Sequence, residues 1–161
     1  MDYIWTPWRF QYMAQVNSSN QPECIFCDAL AKNKDAETLI VHRGAKAFII
    51  LNRYPYTSGH VMIVPYAHVA DLNLCEPEAL KEMMQLAQRV EKAFQANYKP
   101  DGMNLGMNLG RAAGAGVTGH LHLHALPRWI GDSNFMTVTG ETRVHPEDLR
   151  TTYDRLRKAL P

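Results

Sequence analysis

Apolar positions along this chain fall into several short runs and one long stripe, and the two patterns predict different elements. Leu39-Ile40-Val41-His42 and Ala47-Phe48-Ile49-Ile50-Leu51 flank Arg43-Gly44, the arrangement of a β-hairpin. A turn-rich loop from Asn52 to Gly59 leads to a further strand, His60-Val61-Met62-Ile63-Val64-Pro65, which Pro65 stops. After Glu76 the period changes. Leu80, Met83, Met84, Ala87, Val90 and Phe94 recur at intervals of three and four, predicting a helix over 77–97 with one buried stripe. Pro77 suits its first turn, and Glu76 and Glu78 suit its positive end. Residues 103–109 and 119–126 read as two more strands. Between them Gly110 to Gly116 is too rich in glycine for the interior of an element. Cys24 to Lys32 predicts a short helix, and Leu149, Tyr153, Leu156 and Leu160 mark a helix running from Pro146 to Leu160. Strands, helix, strands, helix is an order that favours an α+β fold with an antiparallel sheet over a βαβ wrap.

Length adds that this is one domain: 161 residues, with no internal repeat, low-complexity tract or linker. Residues 1–22 read as an N-terminal arm and loop, 23–137 as the core, and 138–161 as a C-terminal extension carrying the last helix. The formal charge is +1, which gives no basis for bulk electrostatic capture of nucleic acid or a membrane surface. No run approaches the roughly 18 apolar residues of a membrane span. Met1 to Arg9 lacks the basic-then-apolar layout of a signal peptide, so a cytoplasmic location is expected.

The cysteine count is odd, at three, which argues against a disulfide framework. Cys24-Ile25-Phe26-Cys27 has the spacing of two thiolates on one tetrahedral zinc. A redox pair is the runner-up reading, although no thioredoxin-like βαβ context surrounds it. Cys75 is expected to be a buried, inert thiol. The eight methionines include several at helical spacing, where they read as core rather than as metal ligands.

The strongest chemical signal is His120-Leu121-His122-Leu123-His124. Alternation of period two places three imidazoles on one face of a strand, with neighbouring Cα atoms roughly 7 Å apart. Three in-line histidines could hold one catalytic zinc, but a single metal rarely takes three successive positions of a straight strand. The spacing better suits a division of labour: a nucleophile, a group that holds or protonates a phosphate oxygen, and a third imidazole with a separate structural use. The preceding glycine loop offers backbone N–H groups near the place an anion would occupy.

His120-Leu-His122-Leu-His124-Ala125-Leu126-Pro127-Arg128 resembles the signature of the HIT (histidine triad) superfamily. The resemblance extends over about residues 23–130. Asn52, Gly59-His60 and Val61 to His68 are similar to its strand-loop-strand nucleotide pocket, and Asn108 with the following glycines to its phosphate loop. Trp5 to Arg9, Asn104 to Gly110 and Pro127 to Met136 look like a bacterial branch, the mycobacterial-type diadenosine tetraphosphate phosphorylases. The fold this implies is HIT-like: an antiparallel five-stranded sheet with one long and one C-terminal helix, usually paired as a homodimer.

The resemblance implies that His122 attacks a nucleotidyl phosphorus and becomes a covalent nucleotidyl-histidine. It makes His124 a neighbour that contacts the phosphate or leaving group, and His60 a support behind that pair. Asn52 takes the position that bonds the ribose hydroxyls, while Asn108, Gly114 and Gly116 line the phosphate site. One departure is that Val117 occupies the place of a common Ser or Thr, with Thr118 one step late: either Thr118 is shifted into place as a substrate-binding hydroxyl or a backbone amide does that work. Members with a CxxC imply a structural zinc on Cys24, Cys27, His68 and His120, and no organic cofactor. The substrate implied is a dinucleoside polyphosphate such as diadenosine tetraphosphate, with inorganic phosphate or water as acceptor. A nucleoside phosphoramidase and a non-catalytic nucleotide-binding or zinc-stabilised interaction module are the alternatives. The DNA-repair branch is disfavoured, because no zinc finger or basic tail is appended. His42 and His145 fall outside every motif and are assigned solvated or capping roles.

Overall fold

A computed structural model describes residues 23–132 and 147–160, together with Thr137 and Thr139. The aromatic arm at 1–22, the 133–136 part of the Pro127–Met136 motif, His145 and the expected helix start at Pro146 lie outside the described residues. Helices α1 (Ile25–Lys32) and α2 (Asp35–Thr38) precede β1 (Ile40–Arg43), β2 (Ala47–Leu51) and β3 (Val61–Pro65). A 3₁₀ turn at Leu72–Leu74 leads to α3 (Pro77–Asn97). Then follow β4 (Gly102–Gly106), a 3₁₀ turn at Arg111–Ala113, β5 (Leu123–Arg128) and α4 (Leu149–Ala159). The sheet has five strands in the order β1-β2-β3-β5-β4, every neighbouring pair antiparallel.

Both faces of the sheet are covered, which is why β2 and β3 read as continuous apolar runs. Ile49, Leu51, Val61, Ile63, Leu123 and Ala125 pack beneath α3 with its Met83, Ala87, Val90 and Phe94. Tyr153, Leu156 and Leu160 of α4 close the same core. The alternate positions Phe48, Ile50, Met62 and Val64 face the other way, against Cys24, Phe26 and Ala29 of the α1 segment. Deleting a large side chain such as Phe94 from this interior costs about 3–5 kcal/mol. The period-two rule therefore sorts the chain by parity: odd positions of β2, β3 and β5 go to α3, even ones to α1. His124 pairs across the sheet with Met62 and shares its α1-facing side.

Three sequence expectations need correction. The strand expected at 103–109 ends at Gly106, and 107–109 leave the ladder for the glycine loop. The strand expected at 119–126 runs instead over Leu123–Arg128. Its first residues are diverted: the Leu121 N–H donates to the Val69 carbonyl, and His120 bonds the Pro65 carbonyl, so neither joins the ladder. At the far end Pro127 continues the strand, paired with Met103. Finally, Met84 is exposed, and Leu86 and Ala79 fill the buried α3 face that it was expected to share.

A carboxylate ties the β1–β2 turn to α3. Glu82 accepts from the backbone N–H groups of Ala45 and Ala47 at 2.8 Å each, and from that of Lys46. Burial works against its charge, yet these three donors hold the Glu82 carboxyl below the usual carboxylate range. Such a group stabilises the fold above its unfolded pKa and loses that contribution as pH falls through its depressed folded pKa. Glu82→Gln should therefore lower unfolding free energy by about 1–3 kcal/mol at pH 7. The gap to wild type should narrow towards pH 4, as read by denaturant unfolding across that range.

Candidate functional site

The even-parity side of the sheet, roofed by α1, gathers the histidines singled out in the sequence. His122 stands just before β5 and His124 within it, their ring centroids 4.9 Å apart. His60 directly precedes β3, delivered by a turn whose Gly59 has a φ of +83°. A side chain there would be strained, and its Cβ would meet the Pro127 ring at 3.1 Å.

Hydrogen bonds fix the tautomer of each imidazole. The Tyr56 N–H donates to His60 Nδ1 at 3.2 Å, so His60 carries its proton on Nε2. That N–H donates to His124 Nδ1 at 2.9 Å, which leaves the His124 proton on Nε2. His122 is set the opposite way: its Nδ1–H donates to the His120 carbonyl at 2.8 Å, so its Nε2 bears a lone pair. A donor and a nucleophilic lone pair thus stand on adjacent rings.

Neutrality is enforced as firmly as orientation. Burial, then the proximity of His124 and His122, pushes His60 down to about 2. Burial first and His122 second push His124 down to about 4. His122 is lowered too, by burial, against the opposing pull of its bond to the His120 carbonyl.

A pocket of about 700 Å³ opens in front of this row. His122, His124, Asn52, Asn108, Gly114, Gly116 and Thr118 all line it. His60 does not; it lies almost wholly buried, 1% exposed, behind His124. The Asn52 carboxamide lies 3.4 Å from His60 Nδ1, and its oxygen accepts from the Tyr54 N–H. The glycine loop is wound into a 3₁₀ turn at Arg111–Ala113, and Gly114 ends it with a φ of +89°. Val117 packs on the α1-side core, whereas Thr118 is exposed on the pocket wall, one step beyond the position expected for a hydroxyl.

Two residues escaped the sequence reading. Tyr56 supplies the N–H that orients His60, and its ring lies 4.7 Å from that imidazole. Phe26 touches both His120 and His122, with centroid separations of 5.4 and 5.2 Å. Tyr56 sits in a loop without periodicity. Phe26 sits inside a motif whose cysteines drew the attention.

His120 turns away from the other two imidazoles of the motif. Its Nε2–H donates to the Pro65 carbonyl at 2.9 Å, which turns Nδ1 towards Cys24 Sγ at 3.3 Å and Cys27 Sγ at 3.7 Å. His68 Nδ1 lies 3.3 Å from Cys27 Sγ. All four donor atoms fall within 4.8 Å of one another. A tetrahedral zinc with bonds of about 2.3 Å to sulfur and 2.0–2.1 Å to nitrogen sets ligand atoms roughly 3.5 Å apart, close to these separations. The donor set fits such an ion. His42, by contrast, caps the end of α4: its Nδ1–H donates to the Leu160 carbonyl, while Arg89 contacts Nε2. Cys75 is buried as expected, and burial pushes its thiol up.

Comparison with known proteins follows the same lines. Residues 33–129 match the family described as HIT domain. The AP-4-A phosphorylase of Mycobacterium tuberculosis is 39% identical over 155 residues, spanning 92% of this chain and 79% of that protein. An uncharacterized HIT-like protein of the same organism is 34% identical over 137 residues, 85% of this chain and 92% of its own length. A crystal structure of a Zn-bound histidine triad family protein from Mycobacterium smegmatis superposes with a TM-score of 0.69. It is 31% identical, covering 85% of this chain and 92% of that one. Among the described residues no helix is long and apolar enough to cross a membrane.

The proton assignments can be read in solution. Two-bond ¹⁵N–¹H spectra of the histidine rings should show His60 and His124 as Nε2–H tautomers and His122 as Nδ1–H. His60 should stay neutral down to pH 4; a titration of His60 near pH 6 would contradict the buried relay.

Proposed function

This chain belongs to the HIT domain family, and on that footing we propose that it cleaves a dinucleoside polyphosphate, diadenosine tetraphosphate in particular, by phosphorolysis through a covalent nucleotidyl-histidine. The observation that carries this reading is the opposed pair of tautomers. The His122 Nε2 lone pair borders the pocket, beside a His124 that keeps a proton on Nε2. The similarity to the mycobacterial AP-4-A phosphorylase supports the choice of substrate.

In the proposed reaction Nε2 of His122 attacks the α-phosphorus and an N–P bond forms. The bond from that phosphorus to its bridging oxygen breaks, and ATP leaves with the electron pair. Adenylyl stays on His122. An oxygen of inorganic phosphate then attacks the same phosphorus, the N–P bond breaks, and ADP leaves with His122 restored. Imidazole suits both steps, because it is nucleophilic while neutral and a good leaving group once its Nδ1–H is held by the His120 carbonyl. His124 Nε2–H donates to the phosphoryl or bridging oxygen as charge builds there, and His60 keeps that proton on the outward nitrogen. The backbone of Gly114 and Gly116, with Asn108, cradles the phosphates, and Asn52 holds a ribose. Apolar walls such as Ile25, Leu39 and Ile50 offer a base its apolar surface.

Cys24, Cys27, His68 and His120 are proposed to hold a zinc ion; the zinc-bound relative and the fit of the donor atoms support this. Four protein ligands leave it no open position, so its contribution is to cross-link the chain. The proposal extends to a homodimer in the cytoplasm, where the two thiols remain reduced.

Incubation with diadenosine tetraphosphate should yield ADP plus ATP only when phosphate is present. His122→Ala should abolish turnover, and His124→Ala should slow it by about 10²–10⁴-fold. AMP plus ATP formed without phosphate would replace phosphorolysis by hydrolysis, and full activity in His122→Ala would remove the nucleophile. Purified protein should carry close to one equivalent of zinc, lost in Cys27→Ser. Well under one equivalent with intact thiols counts against the metal site.

A further inference from the structure

We propose that Phe26 is a positioning residue for His122, so that the Cys24–Cys27 knuckle aims the nucleophile as well as holding α1 to the sheet. The proposal rests on the reading of His122 as nucleophile given above.

Phe26 is the third residue of Cys24-Ile25-Phe26-Cys27, and its side chain is 1% exposed. Its ring lies edge-on to His120, with centroids 5.4 Å apart and planes at 77°, and tilted against His122 at 5.2 Å and 50°. These separations are those of direct aromatic packing. The His122 ring is held by three contacts: its Nδ1–H by the His120 carbonyl, and the ring by Phe26 at 5.2 Å and by His124 at 4.9 Å.

Two of the three contacts originate in the cluster of sulfur and nitrogen donors. His120 contributes its carbonyl to His122 and its Nδ1 to the cysteines. Phe26 is carried between those cysteines on the first turn of α1, whose Asp28 N–H donates to the Cys24 carbonyl. A shift of either cysteine moves the Phe26 ring, and a shift of His120 moves the carbonyl. A displacement of about 1 Å in a reacting group can cost roughly 10²-fold in rate. Phe26 also borders the pocket, so a mere wall for the substrate base is the competing role. The two roles separate experimentally, because a wall acts on substrate binding and a positioning group acts on the bound complex and on the free enzyme.

Phe26→Leu, which keeps an apolar side chain but loses the flat ring, should lower kcat for diadenosine tetraphosphate about tenfold while KM changes less than threefold. Phe26→Tyr, which restores the ring, should recover kcat to within threefold of wild type. In the ligand-free proteins, ¹⁵N–¹H ring spectra should show the His122 signals of Phe26→Leu doubled or its Nδ1–H tautomer partly lost, beyond the offset that removal of a neighbouring ring current gives, with His60 and His124 keeping their Nε2–H tautomers. Stripping zinc from the wild-type protein with EDTA should move the same His122 signals. A rise in KM alone, with a single His122 Nδ1–H species in both Phe26→Leu and the stripped protein, would overturn the proposal and leave Phe26 as a wall. If Phe26→Leu does not fold, Phe26→Tyr and the stripped wild type still decide it through the His122 resonances. The resonances are read without turnover, so absence of activity on this substrate would count against the proposed function and leave this test intact.

Discussion

His120 is bonded through three separate atoms, and much of the site follows from that. Its Nε2–H is given to the Pro65 carbonyl, its Nδ1 faces two cysteine sulfurs, and its own carbonyl receives the proton of His122. One bond pins the segment entering β5 against the end of β3. Another draws in the start of α1, where Cys24 is the N-cap and Cys27 lies in the first turn. The last decides which nitrogen of His122 keeps its lone pair. Because a single buried residue, 1% exposed, serves all three, the geometry of the pocket floor is not independent of the packing of α1.

The relay on the other side works by exclusion of protons. Tyr56, His60 and His124 form a chain in which each acceptor forces the next donor outward, beginning from a backbone amide that cannot change its protonation. Burial keeps His60 and His124 neutral far below the range in which an exposed imidazole titrates. Their tautomers are therefore constant over ordinary pH. The cost is that each must be folded uncharged, which weakens the fold as pH falls below the usual histidine range.

Much of this was legible in the sequence, for reasons that differ from element to element. The hairpin, β3 and α3 announced themselves because burial on one or two faces leaves a period that survives any loop. The four donors Cys24, Cys27, His68 and His120 converge as the family resemblance implied. The displaced start of β5 was hidden, because period two continues through His120 and Leu121 although the Leu121 N–H goes to Val69 and the His120 ring to Pro65. Met84 misled for a related cause: a stripe read at intervals of three and four has edges, and the edge lies on the Leu86 side. Tyr56 acts through its backbone amide, which no side-chain pattern can reveal.

The pocket that these constraints shape has little charge of its own. Burial pushes the His122 and His124 imidazoles down, and among the described residues the charged lining sets Lys32 and Arg53 against Glu23, Asp28 and Glu37. On the proposed reading a polyanionic substrate meets little long-range pull from these described side chains, so encounter depends on diffusion and fit rather than on electrostatic steering. Association should consequently be almost insensitive to ionic strength. On the proposed reading departure follows suit: what a product must break is a set of local hydrogen bonds, not the pull of an opposing charge.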